Sequence, residues 1–475
     1  MEPLTNSPKS KVEEANVMNP EIGPARSDFG PWTLDFGLRS ACGSLSHVNR
    51  RTLLKAAGLS GLCWLTPLAE RLARAADKEP SGKPAKSVIV LWMQGGPSQF
   101  ETFDPHPDPE SKYAGGTKWI ETAVKGTRIA AGLPLVAEQM VSISLVRSVV
   151  SKEGDHERAT YNAKTGFRPD PTLIHPSLGA IICHQTSDNV EIPRHVSILP
   201  GPWPARGGFL GDQFDAFQTY DPSSPVPDVN GRVPAPRMAK RLADLEVVEG
   251  QFARGRLKRL DVDKTLHRTS IQAARKMMES DQLKAFDVSK ASVNLKSEFG
   301  DTPFGRGCLA AVQLIEVGVR CVEVTLDGWD THANNHSLVA ERNKVLDPAF
   351  AALIKELKNR KLLDSTIVLW GGEFGRTPVI RGLDGGGRDH WPHGFTVALA
   401  GGGIRGGLVI GENSPNPKLD VKNLVEANVR DPRNIEDIHA TVLSALDIDF
   451  AQEMETPIGR PMALSKGKVI EQLLA

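Results

Sequence analysis

"RCVEVTLDGWDTH" (320–332) and "STIVLWGGEFGRTP" (365–378) decide the fold. Each begins as a short apolar run and ends in a polar, Gly-containing loop, which is how a buried strand running into a turn reads. Between them, "SLVAERNKVLDPAFAALIKELKNR" (337–360) has helical spacing, with a break expected at Pro348. Working outward, "GRGCLAAVQLIEVG" (305–318) and "NIEDIHATVLSALDI" (434–448) are predicted helices, and "FTVALAGGG" (395–403) a strand. Toward the N-terminus, "SVIVLWMQGGPS" (87–98) is a strand closing on a Gly-Gly-Pro turn. "VSISLVRSVV" (141–150) and "RHVSILPGP" (194–202) are further strands. Strand and helix in alternation predict an α/β protein, with a mostly parallel sheet and helices on both faces.

Residues 236–298 break the alternation. They are rich in charge, nearly free of Gly and Pro, and helical in spacing, so an inserted helical subdomain is expected there. It carries no cluster of metal-type ligands, and is expected to cover the strand-end face or its rim and shape access.

Ahead of the sheet, Arg50-Arg51, a moderately apolar stretch from Leu53 to Leu68 and small residues at Ala73 and Ala75 follow in the order of a twin-arginine signal. Residues 1–76 are therefore expected to be an N-terminal extension and leader, with 77–86 a polar linker and 77–475 the mature domain. The h-region is too short to span a bilayer comfortably, and Cys63 lacks the small residue of a lipobox. The expectation is an exported protein, periplasmic or extracellular, carried by the twin-arginine machinery and without a stable membrane anchor.

Lys plus Arg and Asp plus Glu each number 57, so the formal net charge is zero and nucleic acid is not an expected partner. The five cysteines, at 42, 63, 183, 308 and 321, form no CxxC pair, which argues against a thiolate zinc site or a disulfide framework. Loss of Cys42 and Cys63 with the leader would leave three, at least one of them unpaired.

Chemistry-bearing residues recur where apolar strands end. Asp330 and His332 follow one strand, Glu373 and Arg376 another, and "GGPSQFETFD" the first. "GGRDHWPHGF" (386–395) places Asp389, His390 and His393 just before a strand. In open α/β sheets ligands bind outside the carboxyl ends of the strands, so these clusters are expected to converge. Asp-x-His and Asp-His-x-x-His offer hard oxygen and borderline nitrogen, suited to zinc, manganese or iron. Asp389 and His390 are expected to share a metal with Asp330, His332 or Glu373, both reaching inward from an irregular loop. His393 is expected to touch substrate or a second metal, and His336 is the extra histidine of its cluster.

"GGPS…FDPHP", Thr165-Gly166, "GWDTH", "GEFGRTP" and "GRDHW" together resemble the domain-of-unknown-function family 1501, a group of exported bacterial proteins similar to the alkaline phosphatase and sulfatase superfamily. The resemblance spans nearly everything after the leader. It implies a three-layer α/β/α sandwich, alkaline-phosphatase-like, with metal near the strand ends and Asp389-His390 matching the superfamily's Asp-His pair. Two departures stand out. Where the family's first motif has His and then Asp, this chain has Gln99 and Glu101, and Glu101 remains a possible ligand. Counting back from Thr165-Gly166 to the sulfatase nucleophile position lands on His156, not Cys or Ser. A formylglycine sulfatase is therefore disfavoured, and His156 is a nucleophile, an acid/base, a further ligand or a structural residue at a helix start.

The expected function is metal-dependent hydrolysis of a phosphate or sulfate ester, the metal being zinc, manganese or another divalent transition ion. The substrate would be a small anionic ester or a sulfated or phosphorylated polymer. Arg376 would clamp its anionic group or serve as a salt-bridging residue. The alternative is an exported binding or scaffold protein that kept the fold with a degenerate site.

Overall fold

The computed structural model describes residues 85–106, 117–187, 190–231, 233–253, 267–381, 385–414 and 416–475, all within the compact unit 79–475. The leader around Arg50-Arg51 and most of the linker lie outside the described residues.

The strands of the central sheet are β1 (Ser87–Met93), β2 (Ile143–Val150), β3 (His195–Ile198), β4 (Phe217–Thr219), β5 (Cys321–Leu326), β6 (Thr366–Gly371), β7 (Phe395–Ala400), β8 (Val409–Ile410) and β9 (Arg433–Asn434). They run in the order β8-β2-β7-β6-β1-β5-β3-β4, with β9 also paired to β2. Every residue of β5 and β7 is buried, and in β1 only Val90 is partly exposed. Strands covered on both faces have no solvent side to mark, so their sequences read as continuous apolar runs.

Alternate residues feed two cores. Ile89, Leu91, Val322, Val324 and Trp370 enter one, with α5 (Pro303–Glu316) and α6 (Asn335–Asn359) over them. Val88, Ile367, Val397 and Leu399 enter the other, under α2 (Leu178–Gln185) and α7 (Ile435–Ala445). A sheet between two helical layers is the expected α/β/α sandwich.

α6 runs unbroken through Pro348, against the expected break. Proline inside a helix costs about 3 kcal/mol. Leu346, Phe350 and Leu353 are fully or almost fully buried around it, and burying such side chains stabilises by roughly 1.5–3 kcal/mol each. Packing outweighs the lost hydrogen bond.

All pairings among these strands are parallel except those of β7, which is antiparallel to both β2 and β6. This one reversal matters for the site. The loop that precedes an antiparallel strand lies at the same edge as the loops that follow its parallel neighbours, so "GRDHWPHG" joins the carboxyl-end loops.

The charge-rich segment is helical where described, as α3 (Ala235–Ala253) and α4 (His267–Glu279). Its later part is anchored: Met277, Ala285, Phe286 and Val288 pack into the core that α5 covers.

Candidate metal centre

Four chain segments bring side chains together at the carboxyl edge. β2 leads into Gly154 and then α1 (His156–Thr165), whose first residue is His156 because the Asp155 carboxylate caps it, accepting from Arg158 N. β5 delivers Asp330 and His332, β6 delivers Glu373 and Arg376, and the reversed β7 brings Asp389 and His390. Two glycines permit the crowding. Gly95 has φ +110°, and a Cβ there would lie 2.6 Å from Asp330 N. A Cβ on Gly387 would collide with the His332 carbonyl. Gly387→Ala is expected to push the 385–390 loop off the centre, lowering metal content with little change in the far-UV circular dichroism spectrum.

The donor atoms converge on one carboxylate. Asp330 lies 3.3 Å from His156 Nε2, 3.1 Å from His332 Nε2 and 3.4 Å from His390 Nε2. The His332 and His390 Nε2 atoms are 3.0 Å apart. Each ring is held from behind through Nδ1. Glu373 Oε1 holds His156 at 2.8 Å, Asp389 Oδ1 holds His332 at 3.1 Å, and the Gly154 carbonyl holds His390 at 2.7 Å. A proton on Nδ1 leaves the lone pair on Nε2, which is how metal-ligating histidines are oriented. Two donors about 2.1 Å from a tetrahedral zinc lie about 3.4 Å from each other, close to the separations here. His156 Nε2 is buried and makes no hydrogen bond, and two Nε2 lone pairs facing each other repel unless a cation lies between them. These residues fit a divalent metal: His156, Asp330 and His390 have ligand atoms mutually within 4.8 Å, and His332 lies beside this group, close to Asp330 and His390.

Electrostatics agrees with the geometry. The hydrogen bond to Glu373 raises the His156 pKa against the effect of burial, and Asp330 adds to the rise. Burial lowers the His390 pKa, with the Arg376, His156 and His332 charges acting in the same direction, so its lone pair is available at neutral pH. Burial opposes ionisation of Asp330, but the Arg376 guanidinium and the His156 and His332 charges together outweigh it and hold the carboxyl below its usual range. Phe374 stacks on His390 at 4.4 Å between centroids and lies 5.0 Å from the His156 ring, wedging both imidazoles in place.

Glu373 and Asp389, expected as ligands, stand behind the rings instead. Glu373 is wholly buried and its Oε1 also accepts from Gly95 N at 2.9 Å. Asp389 and His390 do not both reach inward from an irregular loop: His390–Trp391 pairs as a short ribbon with Gly375–Arg376, which turns the two side chains different ways.

Arg376 is no clamp. Its buried guanidinium donates to the Gly95, Gly96 and Arg388 carbonyls and to Asp330 Oδ1 at 2.7 Å, tying the first turn to the centre. Glu101 is not among the converging ligands. It is buried against Arg388 at 2.8 Å, and Ser98, Thr117 and His336 share its oxygens. Gln99 bonds the backbone of Arg376 in both directions at 2.8 Å, work that a side-chain amide does well. His393 packs edge-on to Trp391, 5.1 Å between centroids, and is not in the group of mutually close ligand atoms.

The sequence reading missed Phe374 and the Gly154 carbonyl. Phe374 sits inside "GEFGR", where an aromatic among glycines was the available signal; a backbone carbonyl leaves none.

Among solved structures the chain is similar to an alkaline phosphatase from the Antarctic bacterium TAB5, at 15% identity over 77% of this chain and 99% of that one, with a TM-score of 0.34. It is also similar to the PsFucS1 sulfatase from Pseudoalteromonas sp., at 12% identity over 79% of this chain and 70% of that one, TM-score 0.34. The lipoteichoic acid synthase LtaP from Listeria monocytogenes is a third, at 10% identity over 78% and 74%, TM-score 0.32. Comparison with curated proteins gave no match. The family model described as "Protein of unknown function (DUF1501)" matches residues 85–474, and the chain belongs to that family.

Proposed function

We propose that the chain is an exported, metal-dependent hydrolase of phosphate or sulfate esters. The observation that carries this is the convergence of imidazole Nε2 atoms on Asp330, each ring braced through Nδ1. The donor set favours zinc, then manganese or iron. A divalent cation held there supplies Lewis acidity to an anionic ester oxygen. The chain's own part is to hold the ligands: Glu373 fixes His156, Asp389 fixes His332, and Arg376 keeps Asp330 ionised and aimed.

The second reading, a binding or scaffold protein, draws support from Gln99 and Glu101, both engaged in internal bonds. Metal analysis of the purified protein, followed by a phosphatase, phosphodiesterase and sulfatase panel with the added metal, separates the two. Turnover that is lost in Asp330→Ala supports the hydrolase. Stoichiometric metal with no turnover on any ester class rejects it in favour of the scaffold.

Binding must displace any proton on His156, whose pKa lies above the ordinary 6.5. Metal affinity is therefore expected to weaken as pH falls through that raised value, so the loss begins above the usual histidine range. For the metal-free chain the sign is opposite. The charge on protonated His156 strengthens its pairing with Glu373 and stabilises the fold at low pH, and that contribution is lost as pH rises through the folded pKa. Calorimetric titration with zinc at several pH values checks the first, and thermal melts with chelator the second.

Export rests on the Arg50-Arg51 pair. Lys-Lys at those positions is expected to leave full-length protein in the cytoplasm, because the transport receptor reads the arginines as an address. Normal export and processing near Ala75 in that variant would exclude the route. Among the described residues no helix is long and apolar enough to cross a membrane.

A further inference from the structure

Beside α1, on the side that carries Thr160 and Lys164, lies a cavity of about 300 Å³, within the range that takes small ligands. Its wall combines two kinds of surface. Trp203, between Pro202 and Pro204, and Ile174 give a ring-sized apolar side. Arg206 and Glu157, both exposed, and Thr160 give scattered donors and acceptors. Thr160 is 1% exposed, and its hydroxyl has no hydrogen-bond partner in the protein. A buried hydroxyl left unpaired is destabilising. Threonine in a helix has two accessible rotamers, so a turn about χ1 can offer this hydroxyl to the cavity.

Charge narrows the ligand. Lys164, which also lines the cavity, is neutralised by Glu323 at 2.9 Å and donates to the Trp203 carbonyl at 3.0 Å. Tyr161 and His175 satisfy each other at 2.8 Å. With one exposed cation and one exposed anion left, the cavity has no net charge to attract an anion. An apolar side with dispersed polar groups suits a neutral polyhydroxylated ring, which offers a C–H face to an aromatic and hydroxyls to donors and acceptors.

Position ties the cavity to the metal centre. His156 and Thr160 are one turn apart on α1, so their Cβ atoms are about 5–6 Å apart. A ligand whose anionic group lies at His156 thus reaches Thr160 with its organic part. We infer that this cavity binds the alcohol portion of the ester, a sugar ring, with Thr160 as a hydrogen-bonding residue and Trp203 as its apolar wall. This rests on the hydrolase reading for the word "ester", but the binding itself does not need turnover.

The experiment uses that independence. Methyl glucoside, galactoside and fucoside, which carry no anionic group, are titrated into the full chain and followed by ligand-observed NMR. At least one is expected to bind saturably at millimolar concentration. Thr160→Val and Trp203→Ala are each expected to weaken it at least fivefold while metal content stays at the wild-type level. Without ligand, Thr160→Val should melt no lower than wild type, since it removes an unpartnered hydroxyl and keeps the volume. Should one variant fail to fold, the other decides. No binding by any glycoside, or equal binding by wild type and the folded variants, overturns the inference whatever the ester panel shows. Glycoside binding without ester turnover would overturn the hydrolase reading and leave the sugar site standing.

Discussion

Asp330→Ala is expected to empty the metal centre, weakening metal affinity at least a hundredfold while the chain still folds. Asp330 is the carboxylate on which the His156, His332 and His390 Nε2 atoms converge, and its side chain is about half exposed at 48%. Losing it removes the negative charge at the centre without opening a core cavity. Arg376 keeps its bonds to three carbonyls. Loss of a residue that braces a ligand costs about 10–100-fold in metal affinity, and removal of a ligand should exceed that. Asp389→Ala supplies the comparison: it frees His332 Nδ1 but leaves the converging set, so its loss should fall within that smaller range. Metal stoichiometry after dialysis against a weak chelator, with melting curves on the same samples, reads both. A larger loss in Asp389→Ala than in Asp330→Ala would place the metal on the other side of His332.

Glu101→Ala should give the largest stability loss, about 3–5 kcal/mol, because it leaves the guanidinium of Arg388 buried without its carboxylate. Arg388 is 0% exposed and its Nη2 lies 2.8 Å from Glu101 Oε1. Burial alone would raise the Glu101 pKa, but the Arg388 charge together with hydrogen bonds from Arg388, Ser98 and Asn335 more than reverses that, so the carboxyl is held below its usual range. The sign for pH follows. A depressed folded pKa contributes stability above the unfolded value, and that stability is lost as pH falls through the folded one. The double change Glu101→Leu with Arg388→Met should lose much less than Glu101→Ala, since an apolar pair leaves no charge uncompensated. Urea midpoints at neutral and acidic pH check this. Equal losses in the single and double variants would mean that the pair contributes by packing alone.

How much of this was legible in the sequence depends on which property is asked for. β1, β5, β6 and β7 were readable because strands covered on both faces are mostly apolar, with the one buried carboxylate of β5, Glu323, paired to Lys164. Direction was not readable. "FTVALA" looks the same whichever way it runs, yet its antiparallel setting is what brings His390 beside Asp330. The cluster Asp330, His332, Asp389, His390 was visible as residue types at strand ends. Its division into ligand and brace was not, because that depends on which imidazole nitrogen faces the carboxylate. Arg388 shows the limit most clearly: it adjoins Asp389 in sequence but neutralises Glu101, across 287 residues. Glu101 and Asp330 are both paired with a buried arginine, and nothing local tells which of them also meets three imidazoles. Arg376 was open in the same way, since a guanidinium reads equally as an anion clamp or a salt-bridging residue until its nitrogens are seen on backbone carbonyls and Asp330.

The most direct measurement is an anomalous difference map from a crystal of the protein grown with zinc, recorded on both sides of the zinc absorption edge. The expected result is a single strong peak within about 2.0–2.2 Å of His156 Nε2, His390 Nε2 and an Asp330 oxygen. A peak seated on Glu101 or Glu373, or a wild-type crystal with no peak among these three residues, would contradict the metal centre.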